Sequence, residues 1–133
     1  ASHPGLESLV TDVAVPISNL PEALTAALAD CAANGFDANL VGHVGDGNFH
    51  LTLYMEDDPA RRAAAQGIVD RMTYRALDAG GTSTGEHGVG LRKLKYMERE
   101  HGAGLALMRA IKDTLDPAGI MNPGKKLPKA AAG

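Results

Sequence analysis

The sequence predicts an α+β fold in which helices pack on one face of a small, mostly antiparallel sheet. Three observations predict it. Short runs of strand character lie at 12–15, 38–44 and 48–55. Apolar residues recur at spacings of three and four in the intervening and following segments. Asp46-Gly47 joins two of the strand-like runs, a strong hairpin signal. The order reads β-α-β-β-α, with one more strand expected near 82–86, then two helices.

Each element has a local cause. Ala1 to Thr11 carries no clear pattern. Asp12-Val13-Ala14-Val15 alternates well enough for a short strand, which Pro16 stops. Pro21 and Glu22 suit the first turn of a helix whose stripe is Leu20, Leu24, Ala27, Leu28 and Cys31, stopped by Asn34-Gly35. Asp58-Pro59 caps a second helix with a stripe at Ala64, Ile68, Met72 and Ala76, terminated by Gly80-Gly81. Leu91, Leu94 and Met97 mark a short helix ending near His101-Gly102, and Leu105, Met108, Ile111 and Leu115 mark another that Asp116-Pro117 stops. The segment 122–133, rich in Pro, Lys and Ala, is expected to fray.

Composition bounds the function. The chain has 133 residues, 44% of them hydrophobic and 22% charged, enough apolar material for one domain with a core and too much for a disordered chain. A formal charge of −3 argues against a nucleic-acid partner. No apolar run reaches the roughly 18 residues of a membrane span, and no secretory leader is evident. The single cysteine, Cys31, cannot form an internal disulfide and falls on a helix stripe, so a reducing, cytoplasmic setting is the default and Cys31 reads as a small core residue.

Glycine, at 16 residues, is in excess, and much of that excess surrounds the histidines at 42–47 and 80–90. A two-residue turn at Asp46-Gly47 would set His43 directly opposite His50 on one face, with Cβ atoms about 5 Å apart. Two imidazoles so placed can address one ion. The later cluster Gly85-Glu86-His87-Gly88 supplies a carboxylate. His43, His50 and Glu86 then form a two-histidine, one-carboxylate set suited to zinc, manganese or iron with open positions. His87 is left as a general base, since imidazole chemistry suits proton abstraction near neutral pH. The plainer readings stay open beside this one: strand histidines are often structural and a loop glutamate is usually solvated. His3 and His101 read as a terminus and a helix end, and Arg61-Arg62, Arg92-Lys93 and Lys125-Lys126 as solvated charges.

The segments Gly42-His43-Val44-Gly45-Asp46-Gly47-Asn48-Phe49-His50, Gly85-Glu86-His87-Gly88-Val89-Gly90 and Asn122-Pro123-Gly124-Lys125 resemble, in order and spacing, the C-terminal domain of FAD-linked oxidases. That family includes D-lactate dehydrogenase, glycolate oxidase subunit and D-2-hydroxyglutarate dehydrogenase, and Asp12-Val13-Ala14-Val15-Pro16 also resembles its counterpart there. The resemblance runs from about residue 9 to 127. It implies a ferredoxin-like α+β unit, residues 1–133 as one domain, and a parent FAD-dependent D-2-hydroxy-acid dehydrogenase whose FAD-binding domain has no counterpart in this sequence. It further implies that His43, His50 and Glu86 ligate zinc or manganese and that His87 takes the hydroxyl proton. By the same resemblance Asn48 and Thr52 lie near the substrate, with Thr52 standing where several members have Asn, and Asn122 lies near the flavin. The chain alone is expected to be inactive in hydride transfer and, without its partner domain, able to form a homo-oligomer. The alternatives are a free-standing metal-binding or metal-dependent hydrolytic domain, or a purely structural module.

Overall fold

The computed structural model describes residues 3–128, so the last five residues of the expected fraying tail lie outside it. The described chain divides into two compact units, the first ending at Glu86 and the second beginning at His87.

The first unit is built on an antiparallel sheet. Strands β1 (Glu7–Val10), β2 (Val13–Ala14), β3 (Asp37–His43) and β4 (Asn48–Met55) are joined by helix α1 (Leu20–Ala33), and helix α2 (Pro59–Asp78) follows. β4 is central. β3 pairs along one of its edges, and β1 and β2 follow one another along the other. Period-two alternation splits β4 into two faces. Phe49, Leu51, Leu53 and Met55 enter the core, where Val13, Leu20, Ala27, Ile68 and Met72 from β2, α1 and α2 meet them. Asn48, His50, Thr52 and Tyr54 point the other way. The expected α+β class is what forms.

Local chemistry explains the helix ends. The Asp58 side chain accepts from Arg61 N at 2.8 Å, satisfying one orphan donor at the start of α2. Arg61 lies over the Phe36 ring, 3.8 Å from its centroid, and donates to the carbonyls of Asn34 and Gly35 just beyond α1. Arg62 pairs with Glu7 and Asp57. Cys31 is buried in the α1 stripe, and burial and then the neighbouring Asp30 push its thiol pKa up, away from nucleophilic use.

Three expectations change. Residues 7–10, which carry no pattern, form β1, because β4 offers unpaired backbone groups that any extended segment can satisfy. No strand forms at 82–86; Thr82 alone bridges Ala14, and the glycine-flanked chain turns away. The hairpin turn is longer than Asp46-Gly47. Val44–Asp46 make a 3-10 turn closed by Gly47 at φ +70°, so His43 pairs with Asn48 and His50 with Val41. Gly47 is required there twice over, since a Cβ would also stand 2.0 Å from the Val15 carbonyl oxygen.

Asp30 ties α1 to α2. Its carboxylate receives Arg71 Nη2 at 2.7 Å and Arg75 Nη2 at 3.1 Å. The Arg71 hydrogen bond, against the opposing effect of burial, holds this carboxyl below the usual carboxylate range. A lowered folded-state pKa contributes stability above the unfolded value of about 3.9 and loses it as pH falls through the folded value. Asp30→Asn should therefore flatten the acid limb of the stability–pH curve, read by urea unfolding between about pH 5 and pH 2. An unchanged slope would remove Asp30 from the set of groups that stabilise the fold electrostatically.

The second unit holds α3 (Met97–His101) and α4 (Gly104–Leu115). His101 ends α3, as expected. Asp116 closes α4: it pairs with Lys112 and accepts from Ile120 N at 3.0 Å and Met121 N at 2.9 Å. The Lys112 hydrogen bond leads in lowering its pKa. Met97, Met108, Ile111, Leu115 and Met121 line an apolar groove beside α4. Asn122, exposed, takes a left-handed conformation at φ +48°.

Candidate metal centre

The site lies at one end of the outer face of β4. A slip of two residues in register preserves the face, so His43 and His50 still share it. They are diagonal rather than direct neighbours, about 7–8 Å apart at the backbone instead of about 5 Å. That difference in register separates their surroundings. His50, at the sheet centre, is buried, whereas the His43 side chain is 66% exposed.

The segment after α2 brings the carboxylate. Gly81 N donates to Ala76 O, Thr82 exchanges backbone hydrogen bonds with Ala14, and the chain crosses Asp12 to reach His50. Gly85 makes the crossing possible: a Cβ there would stand 1.5 Å from Asn48 Nδ2. Glu86 Oε1 ends 2.8 Å from His50 Nε2, and Glu86 Oε2 ends 3.9 Å from His43 Nε2. The structure thus brings His50 and Glu86 into direct contact and leaves His43 at the rim.

His50 Nδ1 lies 2.9 Å from the Thr11 carbonyl oxygen. A carbonyl only accepts, so Nδ1 carries the proton, and in the neutral ring Nε2 is a lone pair. That lone pair faces a carboxylate oxygen at hydrogen-bond distance. Two acceptors so placed need a proton or a cation between them. The chemistry of this pair suits a divalent ion: a carboxylate beside an imidazole fixed through its far nitrogen by a backbone carbonyl, as metal-bound histidines usually are, with the exposed His43 ring at its rim.

Two residues that sequence reasoning missed complete the surroundings. Asp12, nearly fully buried, accepts from Asn48 Nδ2 at 2.9 Å, Gly85 N at 3.1 Å and Glu86 N at 3.3 Å. Thr11 supplies the carbonyl to His50. The available signal was an aspartate opening an apolar run, where a buried carboxylate must find donors. Asn48 Oδ1 is buried and no donor among the described residues reaches it. Thr52 is on the same face, half-buried. Further along, His3 is more than a terminus: its ring stacks on Tyr54 at 3.8 Å and its Nε2 lies 2.6 Å from Asp37 Oδ2. His87 follows Glu86 directly and opens the second unit, as Asn122 belongs to that unit.

Among the described residues no helix is long and apolar enough to cross a membrane. The family described as FAD linked oxidases, C-terminal domain, matches residues 1–126. The chain is 42% identical over 130 residues to a D-lactate dehydrogenase [cytochrome], mitochondrial, of Arabidopsis thaliana, covering 96% of this chain and 23% of that protein. It is 40% identical over 120 residues to a D-2-hydroxyglutarate dehydrogenase of Xanthomonas citri, covering 86% and 25%. It is 36% identical over 129 residues to the glycolate oxidase subunit GlcD of Bacillus subtilis, covering 93% and 27%. The chain therefore spans about a quarter of the length of these relatives.

Proposed function

This chain belongs to the C-terminal domain family of FAD-linked oxidases, and from that premise we propose that it supplies the metal ligands and general base of an FAD-dependent D-2-hydroxy-acid dehydrogenase of D-lactate or glycolate type. The observation that carries the reading is the 2.8 Å approach of His50 Nε2 to Glu86 Oε1 while the other His50 nitrogen is committed to Thr11. His43, His50 and Glu86 would hold zinc or manganese. A cation held there would supply positive charge beside the substrate hydroxyl, and an FAD in a partner domain would supply the acceptor for the hydride on C2.

The chain's own residues do the rest. His87, next in sequence to a ligand, would take the hydroxyl proton on a ring nitrogen, leaving the 2-oxo acid as product. Asn48 and Thr52 would orient the acid along the outer face of β4, and Asn122 would lie toward the flavin of an FAD-binding partner domain. The buried, inert Cys31 accords with a reducing compartment, cytoplasmic or, as the name of the Arabidopsis relative suggests, mitochondrial.

The test joins this chain to the FAD-binding portion of such a relative and follows flavin absorbance anaerobically. D-lactate or glycolate should bleach the flavin, and His87→Ala should slow bleaching by about 100-fold or more with zinc content unchanged. No bleaching by any D-2-hydroxy acid, together with zinc-dependent hydrolysis of a simple ester, would point instead to a hydrolytic domain.

A further inference from the structure

A break in one edge strand serves both the buried imidazole of His50 and the segment that carries Glu86. β1 and β2 share a single register against β4: Val10 opposes Thr52 and Val13 opposes Phe49. Thr11 and Asp12 therefore sit across from Leu51 and His50, yet regular pairing stops there. Thr11 N still donates to Leu51 O at 2.9 Å. In a regular antiparallel pair Leu51 N would return the bond to the Thr11 carbonyl. Here it donates to Thr11 Oγ1 at 2.8 Å. The hydroxyl takes the ladder position, and the carbonyl is turned onto His50 Nδ1. One residue on, Asp12 holds the main chain of Gly85 and Glu86 and the amide of Asn48.

We propose that Thr11 and Asp12 are positioning residues for the metal ligands, Thr11 fixing the tautomer and ring orientation of His50 and Asp12 fixing the main chain that carries Glu86. The proposal rests on the reading of His50 and Glu86 as ligands. Its physical content is separable: Thr11 acts through a hydroxyl that frees a carbonyl, and Asp12 acts through a carboxylate that only accepts. Valine keeps the shape of threonine and loses the hydroxyl, so Leu51 N would reclaim the carbonyl. Asparagine keeps the shape of aspartate and turns a donor toward donors.

The test uses the whole chain with Zn2+ alone as probe. Imidazole 15N shifts of His50 in the metal-free protein give the tautomer, and calorimetry gives the Zn2+ affinity. The wild type should show His50 protonated on Nδ1. Thr11→Val should move those shifts toward a tautomer mixture and weaken Zn2+ binding by about 10–100-fold, and Thr11→Ser should restore both. Asp12→Asn should weaken Zn2+ by a similar factor while leaving the His50 tautomer in place. Wild-type His50 protonated on Nε2 overturns the Thr11 role without any variant. Wild-type affinity in both Thr11→Val and Asp12→Asn overturns the proposal while His50→Ala still weakens binding. Undiminished binding by His50→Ala instead overturns the ligand reading, and the positioning role with it.

Discussion

His50→Ala should lower the affinity of the chain for Zn2+ by about 100-fold or more, since loss of a ligand costs at least as much as loss of its supporting hydrogen bond. The cause is geometric. His50 is central in the sheet and buried, and its Nε2 is 2.8 Å from the Glu86 carboxylate. His43→Ala should cost less, because that ring is exposed and its nearest approach to Glu86 is 3.9 Å. His101→Ala, at the end of α3 in the second unit, should leave Zn2+ affinity unchanged. Calorimetric titration of the three variants orders them. Equal, small losses in all three would mean that zinc binds surface imidazoles without discrimination.

Phe49→Ala should destabilise the first unit by about 3–5 kcal/mol, measured by urea unfolding of the metal-free chain. Phe49 is 2% exposed and lies on the core face of β4, paired to Val13 on one side and Gly42 on the other. Gly42 has no room for a side chain, since a Cβ there would come within 2.8 Å of Phe49 Cα, so the cavity left by the ring cannot be filled from that neighbour. Val41→Ala, on the exposed face of β3 at 59% exposure, should change stability by about 0.5 kcal/mol or less. A loss under about 1 kcal/mol at Phe49 would mean that the core collapses around the deletion. The two predictions separate adjacent residues: Phe49 packs into the core, and His50 faces Glu86 from the other side of the strand.

Much of this was legible from the residues. Apolar spacing located α1, β4 and α2, and the Asp58-Pro59 pair located a helix start to the residue. Local signals failed where tertiary partners decide. β1 is extended because β4 needs a neighbour, not because Glu-Ser-Leu-Val favours a strand. The turn signal at Asp46-Gly47 is correct in place and wrong in length: Val44–Asp46 form a 3-10 turn, and the Gly47 carbonyl accepts from Val15 N at 3.0 Å, a tertiary partner that the local sequence does not reveal. The pairing of His43 with His50 was consequently one step too close, while the shared face survived because the error was even. Glu86 is marked by its glycine neighbours and Asp12 only by opening an apolar run, while Thr11 carries no local signal, since its contact with His50 depends on a strand break that only the register of β1 and β2 against β4 reveals.

In the proposed centre, side chains from β3, β4 and the segment after α2 gather around one divalent ion. X-ray absorption of the chain loaded with one equivalent of Zn2+ tests it most directly. The expected spectrum shows imidazole scattering from two rings and a carboxylate oxygen, all at about 2.0–2.2 Å, with one imidazole's scattering lost in His50→Ala. A shell of oxygen alone, or a spectrum identical in wild type and His50→Ala, would contradict it.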